Sequence, residues 1–553
     1  MGSGAKIRAG DIGVLAKKGT RIALIGGGSV ATAFLFHLVQ GQETRAASAK
    51  GTGDALEVLV FEPRTTIGRG GAYDNDLDSN LLNVTAGNMS VAGDDRLHFF
   101  RWLQEQGITQ FRGQAIGQDT FLPRALFGRY LEAVYQDLHH RSEAAGIRLR
   151  HIRRSVIDLE SLDDDVYQVR TEKCSHRVHR VVLAMGNLQS TAFVELKGAD
   201  GYFDSPYLTN VMARSIQRSA SVCVLGTSLS AVDAVAALAC QGHTGPIWCV
   251  SRNGRLPSVR GLKNFALELS SDFLAQLDTR LAEGRLLPLA MMMDLVHQEL
   301  ALQGVDVEDI LRLVESAADA LTYLDKEINE SATRPRQWQA FGNALNPVIE
   351  KLWYLLSADD RRTFEKTLRP LWMARRVTFP IENARTLQAL LRTKQLIVTG
   401  GFAGVTPDDA KCGFRIQLQP TLSAGMPGLE PPPASLIQAD VVINATSFSS
   451  DAARSDIPLL RRLLDKGMAV ADEFGGLKLD FATGYLLCAN GKIDPRITVL
   501  GTLACGTYFW TNSMDINARL AKAQADFLVK NLQPTKYCGR ELPLTQALGD
   551  TAP

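Results

Sequence analysis

The stretch RIALIGGGSVATAFLFHLVQ, residues 21–40, decides the fold of this 553-residue chain. A short apolar run ends at Ile25, residues 26–31 fit the pattern G-x-G-x-x-A, and an apolar helical segment follows. This order of strand, glycine turn and helix is typical of a dinucleotide-binding fold. Gly26 allows the tight turn, Gly28 lets the backbone approach a pyrophosphate at the helix N-terminus, and Ala31 lets the helix pack on its strand.

The next apolar strand supports this interpretation because it ends on an acid. LEVLVFE, residues 56–62, ends at Glu62, which is placed to accept hydrogen bonds from the ribose of the adenosine half. The polar stretch between the two strands, residues 43–54, predicts an exposed loop. The alternative is a glycine-rich turn in an unrelated α/β protein.

Composition favours small-molecule partners. The chain contains 60 Lys and Arg residues and 59 Asp and Glu residues, which gives a net charge of +1. A chain with this balance lacks the excess of positive charge that is typical of proteins that bind nucleic acid or an anionic membrane surface. The sequence contains no apolar run long enough for a transmembrane helix, so we expect a cytosolic protein. The histidines, cysteines and acids indicate no metal site.

The eight cysteines are scattered without a C-x-x-C pair, which favours reduced thiols. Flavin disulfide reductases usually carry such a pair just after the first βαβ unit. The sequence therefore argues against that class.

A second strand, turn, helix and strand occupy residues 221–257. Its turn contains Gly226, Ser228 in place of the middle glycine, and Ser230, and its second strand is followed by Arg252. An arginine at this place pairs bidentately with a 2′-phosphate, which favours NADPH over NADH. The alternative is a second nucleotide fold that binds nothing.

Other segments complete the organisation. Residues 121–147 form an amphipathic helical pattern, residues 181–184 form a buried strand that closes on Gly186, and residues 497–532 again place a glycine turn before a long helix. Helical periodicity dominates residues 262–368, where the run of methionines 291–293 predicts core packing, with an apolar pocket as the alternative. The predicted domains are a lead-in (1–20), a first nucleotide domain (21–200 and 446–535), a second nucleotide domain (201–261 and 369–445), an α-helical insertion (262–368) and a tail (536–553). The predicted fold is thus α/β, with two Rossmann-like domains and a helical insertion.

Several motifs together resemble the two-dinucleotide-binding-domain flavoproteins, and in particular the FAD/NAD(P)-binding group related to the lysine and ornithine N-monooxygenases. The resemblance rests on IGGGSVA, FEP, GRGGAYDNDLDSNLLNVTAGNMS, FFRWL, FLPRALFGRYL, VVLAMGN, LGTSLSAVDAVAALACQGHTGPIWCVSRNGRLP, INATSF and LGTLACGTYFW. These motifs cover roughly residues 21–262 and 369–530.

The resemblance implies FAD and NADPH as cofactors and assigns residues to them. FAD would be bound by Gly26, Gly28, Ser29, Ala31, Glu62 and Gly186, with Asn83, Met89 and Ser90 near the isoalloxazine ring and with Gly501, Asp515 and Asn517 around its pyrimidine end. NADPH would be bound by Gly226, Ser228, Ser230 and Arg252. Arg124, Arg375 and Arg376 are candidates to hold a substrate carboxylate, and structural ion pairs are the alternative for each.

The implied activity is that of a monooxygenase in secondary metabolism. Enzymes of this group reduce FAD with NADPH, react it with O₂ to form a C4a-hydroperoxide, and transfer one oxygen to a nucleophile, commonly the amine of an amino-acid-like small molecule. Two alternatives remain open: an FAD-dependent dehydrogenase or reductase, and a non-catalytic FAD-binding protein whose helical insertion contacts a partner. Relatives suggest a homo-oligomer, although the sequence leaves the oligomeric state open.

Overall fold

The computed structural model describes residues 19–48, 55–162, 166–262, 265, 267–305, 319–408, 413–419, 435–446 and 448–531. The strands are β1 Gly19–Ile25, β2 Ala55–Phe61, β3 Gln110–Phe111, β4 Gln114–Ala115, β5 Ile147–Ile152, β6 Val156–Ser161, β7 Tyr167–Thr171, β8 Ser175–Val178, β9 Arg180–Leu183, β10 Tyr202–Phe203, β11 Val222–Leu225, β12 Ile247–Val250, β13 Ser258–Val259, β14 Thr378–Phe379, β15 Leu396–Thr399, β16 Phe402–Pro407, β17 Phe414–Leu418, β18 Ser435–Ala439, β19 Val441–Asn444, β20 Tyr485–Leu487 and β21 Ile493–Val499.

The α-helices are α1 Ser29–Ser48, α2 His98–Glu105, α3 Arg124–Ser142, α4 Thr209–Ser215, α5 Leu229–Cys240, α6 Ser271–Ala282, α7 Leu289–Leu302, α8 Ala320–Thr333, α9 Gln337–Ala344, α10 Ile349–Leu355, α11 Ala358–Thr363, α12 Arg369–Arg376, α13 Ile381–Arg392, α14 Pro458–Asp465, α15 Cys505–Tyr508 and α16 Met514–Asn531. A π-helical turn, Phe364–Leu368, joins α11 to α12. Within the described ranges, none of the helices has both the length and the apolar character needed to span a bilayer.

The first sheet has six strands in the order β20-β21-β9-β1-β2-β5, and all neighbours are parallel except β20 with β21. Ile25 at the end of β1 pairs with Phe61 on one side and with Leu183 on the other. The carboxyl ends of the central strands therefore meet at one edge of the sheet, where parallel α/β folds bind their ligands.

Helix α1 covers this sheet and runs further than its sequence suggests. It continues to Ser48, so the prediction of a loop is wrong for residues 43–48, and residues 49–54 lie outside the described residues. The extension is stabilised because Glu43 forms an ion pair with Arg141 on α3, at 2.6 Å. Gly41 lies against Val529 of α16, where an added Cβ would be 3.1 Å from that side chain. Tertiary packing thus keeps a polar, surface-facing stretch helical.

The second sheet has five parallel strands in the order β10-β19-β11-β12-β15. Leu225 at the end of β11 pairs with Val250 and with Asn444, so this sheet also gathers three carboxyl ends at one edge. Both sheets place a helix, α1 or α5, directly after the glycine turn. The predicted α/β fold with two Rossmann-like units is confirmed.

A segment rich in helices, residues 260–377, leaves the second sheet domain between β13 and β14. These two short strands pair in parallel, with Ser258 opposite Thr378 and Val259 opposite Phe379. Helices α6 to α12 lie between them. Helices α6, α7, α9 and α10 pack around an apolar cluster that includes Phe273, Leu352 and Trp353, whereas Leu324 of α8 packs in the core of the second sheet domain. We call residues 260–377 the helical segment.

Candidate functional site

The turn after β1 accepts only glycine at its first position. Gly26 has φ +106°, and a Cβ there would lie 2.1 Å from the carbonyl oxygen of Ala184. A Cβ on Gly28 would lie 3.5 Å from the Cα of Gly70, so two glycine-containing loops face each other across the turn. This geometry leaves the N-terminus of α1 open to an anion such as a pyrophosphate.

Glu62 is fixed at the edge of the sheet. The Gly27 N–H donates to its Oε2 at 3.0 Å, and the Arg64 N–H donates to its Oε1 at 3.1 Å. The residue is buried, and its carboxylate is therefore oriented before any ligand arrives. An ionised carboxylate accepts hydrogen bonds only, which matches the two hydroxyl donors of a ribose.

A groove of about 990 Å³ runs along this edge, and we call it the dinucleotide groove. It is lined at one end by Gly28, Ser29 and Glu62 and at the other by Thr511 and Asn517. The Thr511 hydroxyl and the Asn517 Oδ1 are buried and have no hydrogen-bond partner within the described ranges, while the Asn517 Nδ2 donates to the Thr511 carbonyl. These unsatisfied groups at the N-terminus of α16 suit a ring with both donors and acceptors, such as the pyrimidine end of a flavin.

The remaining residues assigned to FAD lie around the groove. Gly186 and Gly501 line it, and both have positive φ, +78° and +77°. Ala31 is buried at the start of α1, where its small side chain lies inside the core.

A second space opens from the groove, and we call it the polar cavity. It has a volume of about 380 Å³ and shares the lining residues Tyr73, Asn187 and Met514 with the groove. Asn83, Met89 and Asp515 line the polar cavity. Ser90 lines neither space: it is buried, and its hydroxyl accepts a hydrogen bond from the Ala92 N–H at 2.9 Å.

Arg124 lines the polar cavity, but its charge is already paired. Its Nη2 lies 2.8 Å from Asp233 on α5, and its Nη1 donates to the Tyr207 hydroxyl at 3.1 Å. Tyr207 in turn donates to Asp233 at 2.7 Å. Since α3 belongs to the first sheet domain and α5 to the second, this triad connects the two domains, which is the structural alternative considered for Arg124.

Arg375 and Arg376 lie together at the end of α12 but face different groups. Arg375 donates to the Ser258 hydroxyl at 3.1 Å. Arg376 lines the polar cavity, donates to the Asn346 Oδ1 at 2.7 Å, and reaches Asp515 only through that amide. Burial, with a smaller opposing effect from Asp515, lowers the pKa of Arg376 to about 10.

Arg260 was not identified from the sequence. It follows β13, lines the polar cavity, and donates from Nη2 to the Asn83 carbonyl at 3.3 Å. Burial and the neighbouring charge of Arg376 lower its pKa to about 10. No local motif surrounds Arg260, so only the fold could reveal its position beside residues far along the chain.

The second glycine turn repeats the geometry of the first. Gly226 has φ +126°, and a Cβ there would lie 2.6 Å from the Ala445 carbonyl oxygen. Ser228 is the exposed N-cap of α5, and Arg252 is exposed after β12. Gly226, Ser228 and Arg252 line neither the groove nor the polar cavity, whereas Ser230 lines the groove and its hydroxyl lies 3.4 Å from that of Tyr207. The second turn is therefore separate from the dinucleotide groove and approaches it through Ser230.

Cysteines do not contribute to these spaces in the described part of the chain. The free thiols at Cys174, Cys223, Cys240, Cys249, Cys488 and Cys505 line neither the groove nor the polar cavity. Burial raises the pKa of Cys249 to about 12 and that of Cys505 to about 11, which disfavours the thiolate.

Comparisons with known proteins agree with this geometry. Residues 23–188 match the NAD_binding_9 family model, described as FAD-NAD(P)-binding. An uncharacterized protein of Escherichia coli (strain K12), YdhS, is 21% identical over 416 residues, which cover 67% of this chain and 75% of YdhS.

Solved structures share the overall fold. The L-lysine 6-monooxygenase of Pseudomonas syringae matches with a TM-score of 0.54 and 16% identity, over 92% of this chain and 98% of that one. The reduced ornithine hydroxylase PvdA of Pseudomonas aeruginosa matches with a TM-score of 0.53 and 13% identity, over the same shares of the two chains. The Kutzneria sp. 744 ornithine N-hydroxylase KtzI, with reduced FAD, NADP⁺ and L-ornithine, matches with a TM-score of 0.50 and 14% identity, again over the same shares.

The two lines of comparison support different parts of the assignment. The family match covers the first glycine turn and Glu62, the residues whose geometry fits FAD. The structural matches extend over both sheet domains. Residues 23–188 therefore match an FAD-NAD(P)-binding family, and the chain as a whole shares the fold of the lysine and ornithine N-monooxygenases named above.

Proposed function

We propose that this protein is an FAD- and NADPH-dependent monooxygenase that hydroxylates an amine nitrogen of an amino-acid-like small molecule. The overall reaction consumes R–NH₂, O₂, NADPH and H⁺ and yields R–NHOH, NADP⁺ and H₂O. When bound, FAD supplies the two-electron chemistry that links NADPH to O₂. The protein supplies binding, orientation and a space from which water is excluded.

The observation that carries this proposal is the continuity of the polar cavity with the dinucleotide groove. The cavity opens beside Asn83 and Met89, and its walls carry cationic, anionic and amide groups in Arg376, Asp515 and Asn346. An amino acid carries one cationic and one anionic group, so a wall with both signs of charge can orient it. The cavity volume of about 380 Å³ is within the range of small-molecule sites.

NADPH is proposed over NADH because of the end of β12. Arg252 follows this strand and is exposed to solvent, where a guanidinium can pair with a 2′-phosphate. The absence of a cysteine from the described lining of both spaces argues against thiol–disulfide chemistry at the flavin.

The first experiment is an anaerobic titration of the FAD-loaded protein with NADPH and with NADH, followed by flavin absorbance. We expect faster bleaching with NADPH. Oxygen is then admitted with a panel of amines and amino acids, and oxygen uptake, hydroxylamine product and hydrogen peroxide are quantified. Product equal to the oxygen consumed supports the proposal. NADPH-dependent bleaching without oxygen transfer to any compound would favour a reductase, and failure to bleach would favour a non-catalytic FAD-binding protein.

A further inference from the structure

The helical segment contains a cavity that the cofactors do not use. It has a volume of about 240 Å³ and is lined mainly by aliphatic and aromatic side chains, among them Met292, Val296, Leu345, Leu352 and Trp353. An engineered apolar cavity of about 150 Å³ is known to hold benzene rather than water. The larger volume here suits an apolar body bigger than one benzene ring, and we call this space the apolar cavity.

The apolar cavity meets the polar cavity at a cationic wall. Arg260 and Arg376 line both spaces, as does Gln339. Arg375 lines the apolar side only. A ligand whose head lies at Arg260 and Arg376 would therefore have its tail in the apolar cavity and could present a neighbouring group to the polar cavity.

The polar groups left unsatisfied around the apolar cavity are donors. Among the described residues, the buried atoms of this lining without a hydrogen-bond partner are the Nε atoms of Arg260, Arg375 and Arg376, the indole nitrogens of Trp338 and Trp372, and the Thr378 hydroxyl. All but the hydroxyl are N–H groups that can only donate. Such a set selects a ligand rich in acceptors, and an anion in particular.

The arginines at this wall also differ from a third arginine nearby, which forms direct salt bridges. Arg336 is buried and forms salt bridges with Glu327 at 2.6 Å and with Glu330 at 3.0 Å. In the part of the chain that the structure describes, Arg260 and Arg376 have no acidic salt-bridge partner, and their nearest polar contacts are a carbonyl and an amide. A guanidinium keeps its proton in proteins, and a buried charge without a counterion is costly.

We propose that Arg260 and Arg376 bind the carboxylate of an organic acid whose apolar body fills the apolar cavity. The acid is an acyl or aryl carboxylate of moderate size. Binding of this acid does not depend on the proposed function.

Other ligand classes fit less well. A purely apolar ligand would leave both half-buried guanidiniums without a salt-bridge partner, and a small, fully polar amino acid would leave the apolar cavity empty. The phosphates of the two dinucleotides have their own places at the glycine turns of Gly26 and Gly226.

The test is isothermal titration calorimetry of the purified, FAD-loaded full-length protein, with decanoate, 2-naphthoate, decan-1-ol and decylamine as probes. We expect at least one of the two carboxylates to bind at one site, about tenfold or more tighter than the alcohol, since a charge-assisted pair contributes more than about 1.4 kcal/mol. The amine should bind most weakly because its head carries the same charge as the wall.

Two groups of variants test the contacts to the carboxylate and the contacts to the apolar body of the ligand separately. Arg376→Gln and Arg260→Gln should weaken carboxylate binding about tenfold or more and leave alcohol binding unchanged. Val296→Trp, or the milder Val296→Phe, should abolish binding of carboxylate and alcohol alike. The matched controls are Arg392→Gln, an exposed arginine on α13, and Leu302→Trp, which is 70% exposed at the end of the same helix as Val296. Neither control should change any affinity.

Three results would overturn the proposal: no binding of either carboxylate, equal binding of carboxylate and alcohol, or binding that both Val296 variants leave intact. The titrations need neither NADPH nor oxygen. Carboxylate binding together with a failed oxygen-transfer assay would therefore support the carboxylate site and contradict the proposed monooxygenase function. Conversely, oxygen transfer to an amine without carboxylate binding would support the proposed function and contradict the carboxylate site.

Discussion

The dinucleotide groove and the helical segment build their sites in opposite ways. In the groove, Gly26, Glu62 and Gly186 each follow closely after a strand, and the register of the sheet brings them together. In the helical segment, Arg260 and Arg376 are far apart in the chain, flank the paired strands β13 and β14, and line a cavity whose other walls are mainly helices. The difference teaches that cofactor binding is encoded in local motifs and backbone geometry, whereas the pocket for a second ligand is encoded in tertiary packing.

The variant Gly26→Ala tests the role of backbone geometry in the groove, and we expect it to have the largest effect. Its Cβ would lie 2.1 Å from a backbone oxygen that the sheet holds in place, and its φ would stay at +106°. We expect loss of bound FAD and a fall of about 3 kcal/mol or more in the free energy of unfolding, measured by urea denaturation and flavin absorbance.

Gly146→Ala is the matched control for that variant. Gly146 also has a positive φ, +75°, but it lines neither the groove nor the polar cavity, and a Cβ there meets no atom of the described residues within 4 Å. It should cost only about 1–2 kcal/mol from backbone strain and should retain FAD. If both variants lost the same amount of bound FAD and of unfolding free energy, the positive φ would explain the effect, and the close approach of the Cβ to a backbone oxygen would not.

The second prediction concerns the buried arginines of the helical segment. Arg336→Gln should lower the free energy of unfolding by about 3–5 kcal/mol, because it removes the salt bridge of the fully buried Glu327 carboxylate, whereas Glu330 keeps its ion pair with Arg334. Arg376→Gln should change it by less than about 1 kcal/mol, because no buried acid loses its counterion. Urea denaturation of both variants in parallel checks this, and a similar loss in both would indicate that Arg376 is structural.

The third prediction returns to the glycine turns. Arg252→Gln should raise the KM for NADPH about tenfold, equivalent to about 1.4 kcal/mol, and leave the KM for NADH unchanged. Flavin reduction rates at varied cofactor concentrations measure this, with NADH as the internal control. Equal effects on both cofactors would place the 2′-phosphate elsewhere.

The smallest effect expected is a pH dependence within the first sheet domain. The Gly93 N–H donates to the Nε2 of His37 at 2.9 Å, so the imidazole is needed in its neutral form. Burial lowers the pKa of His37 below its ordinary value of 6.5, with opposing and reinforcing charges at Asp94 and Lys522. In this situation the unfolded chain binds the proton more readily, so this contribution to stability is complete above pH 6.5 and declines as the pH falls below it.

His37→Gln should therefore flatten the acid side of the stability profile by at most about 1.4 kcal/mol per pH unit. Urea denaturation between about pH 5 and pH 8 measures the profile. The exposed His140 provides the control, since His140→Gln should leave the slope unchanged. An unchanged slope in the His37 variant would show that another group titrates.

The sequence predicted the parts of the molecule in which a residue's role depends on its immediate neighbours. The strand, glycine turn and helix around Gly26 belong to this class, and so does α3, whose predicted apolar face at Phe127, Tyr130, Leu131, Val134 and Leu138 is buried. The loop prediction for residues 43–48 was wrong because Glu43 and Gly41 are held by α3 and α16, which no local pattern reveals.

Long-range convergence explains the other omissions. Arg260 stands in a polar stretch without periodicity, and its importance comes from neighbours brought by α12 and by the loop of Asn83. The methionine run gave a hint, since Met292 and Met293 line the apolar cavity while Met291 is exposed. That hint becomes specific only when Arg260 and Arg376 are seen at the end of the same cavity.

The pairing of β13 with β14 has an evolutionary consequence. The chain leaves the second sheet domain at Val259 and returns at Thr378, and these positions lie on neighbouring strands. An insertion whose two ends are adjacent can be exchanged, lengthened or shortened without moving the strands that carry it. The helical segment could therefore be exchanged as a unit, which would change the ligand that the protein accepts and leave the dinucleotide groove as it is.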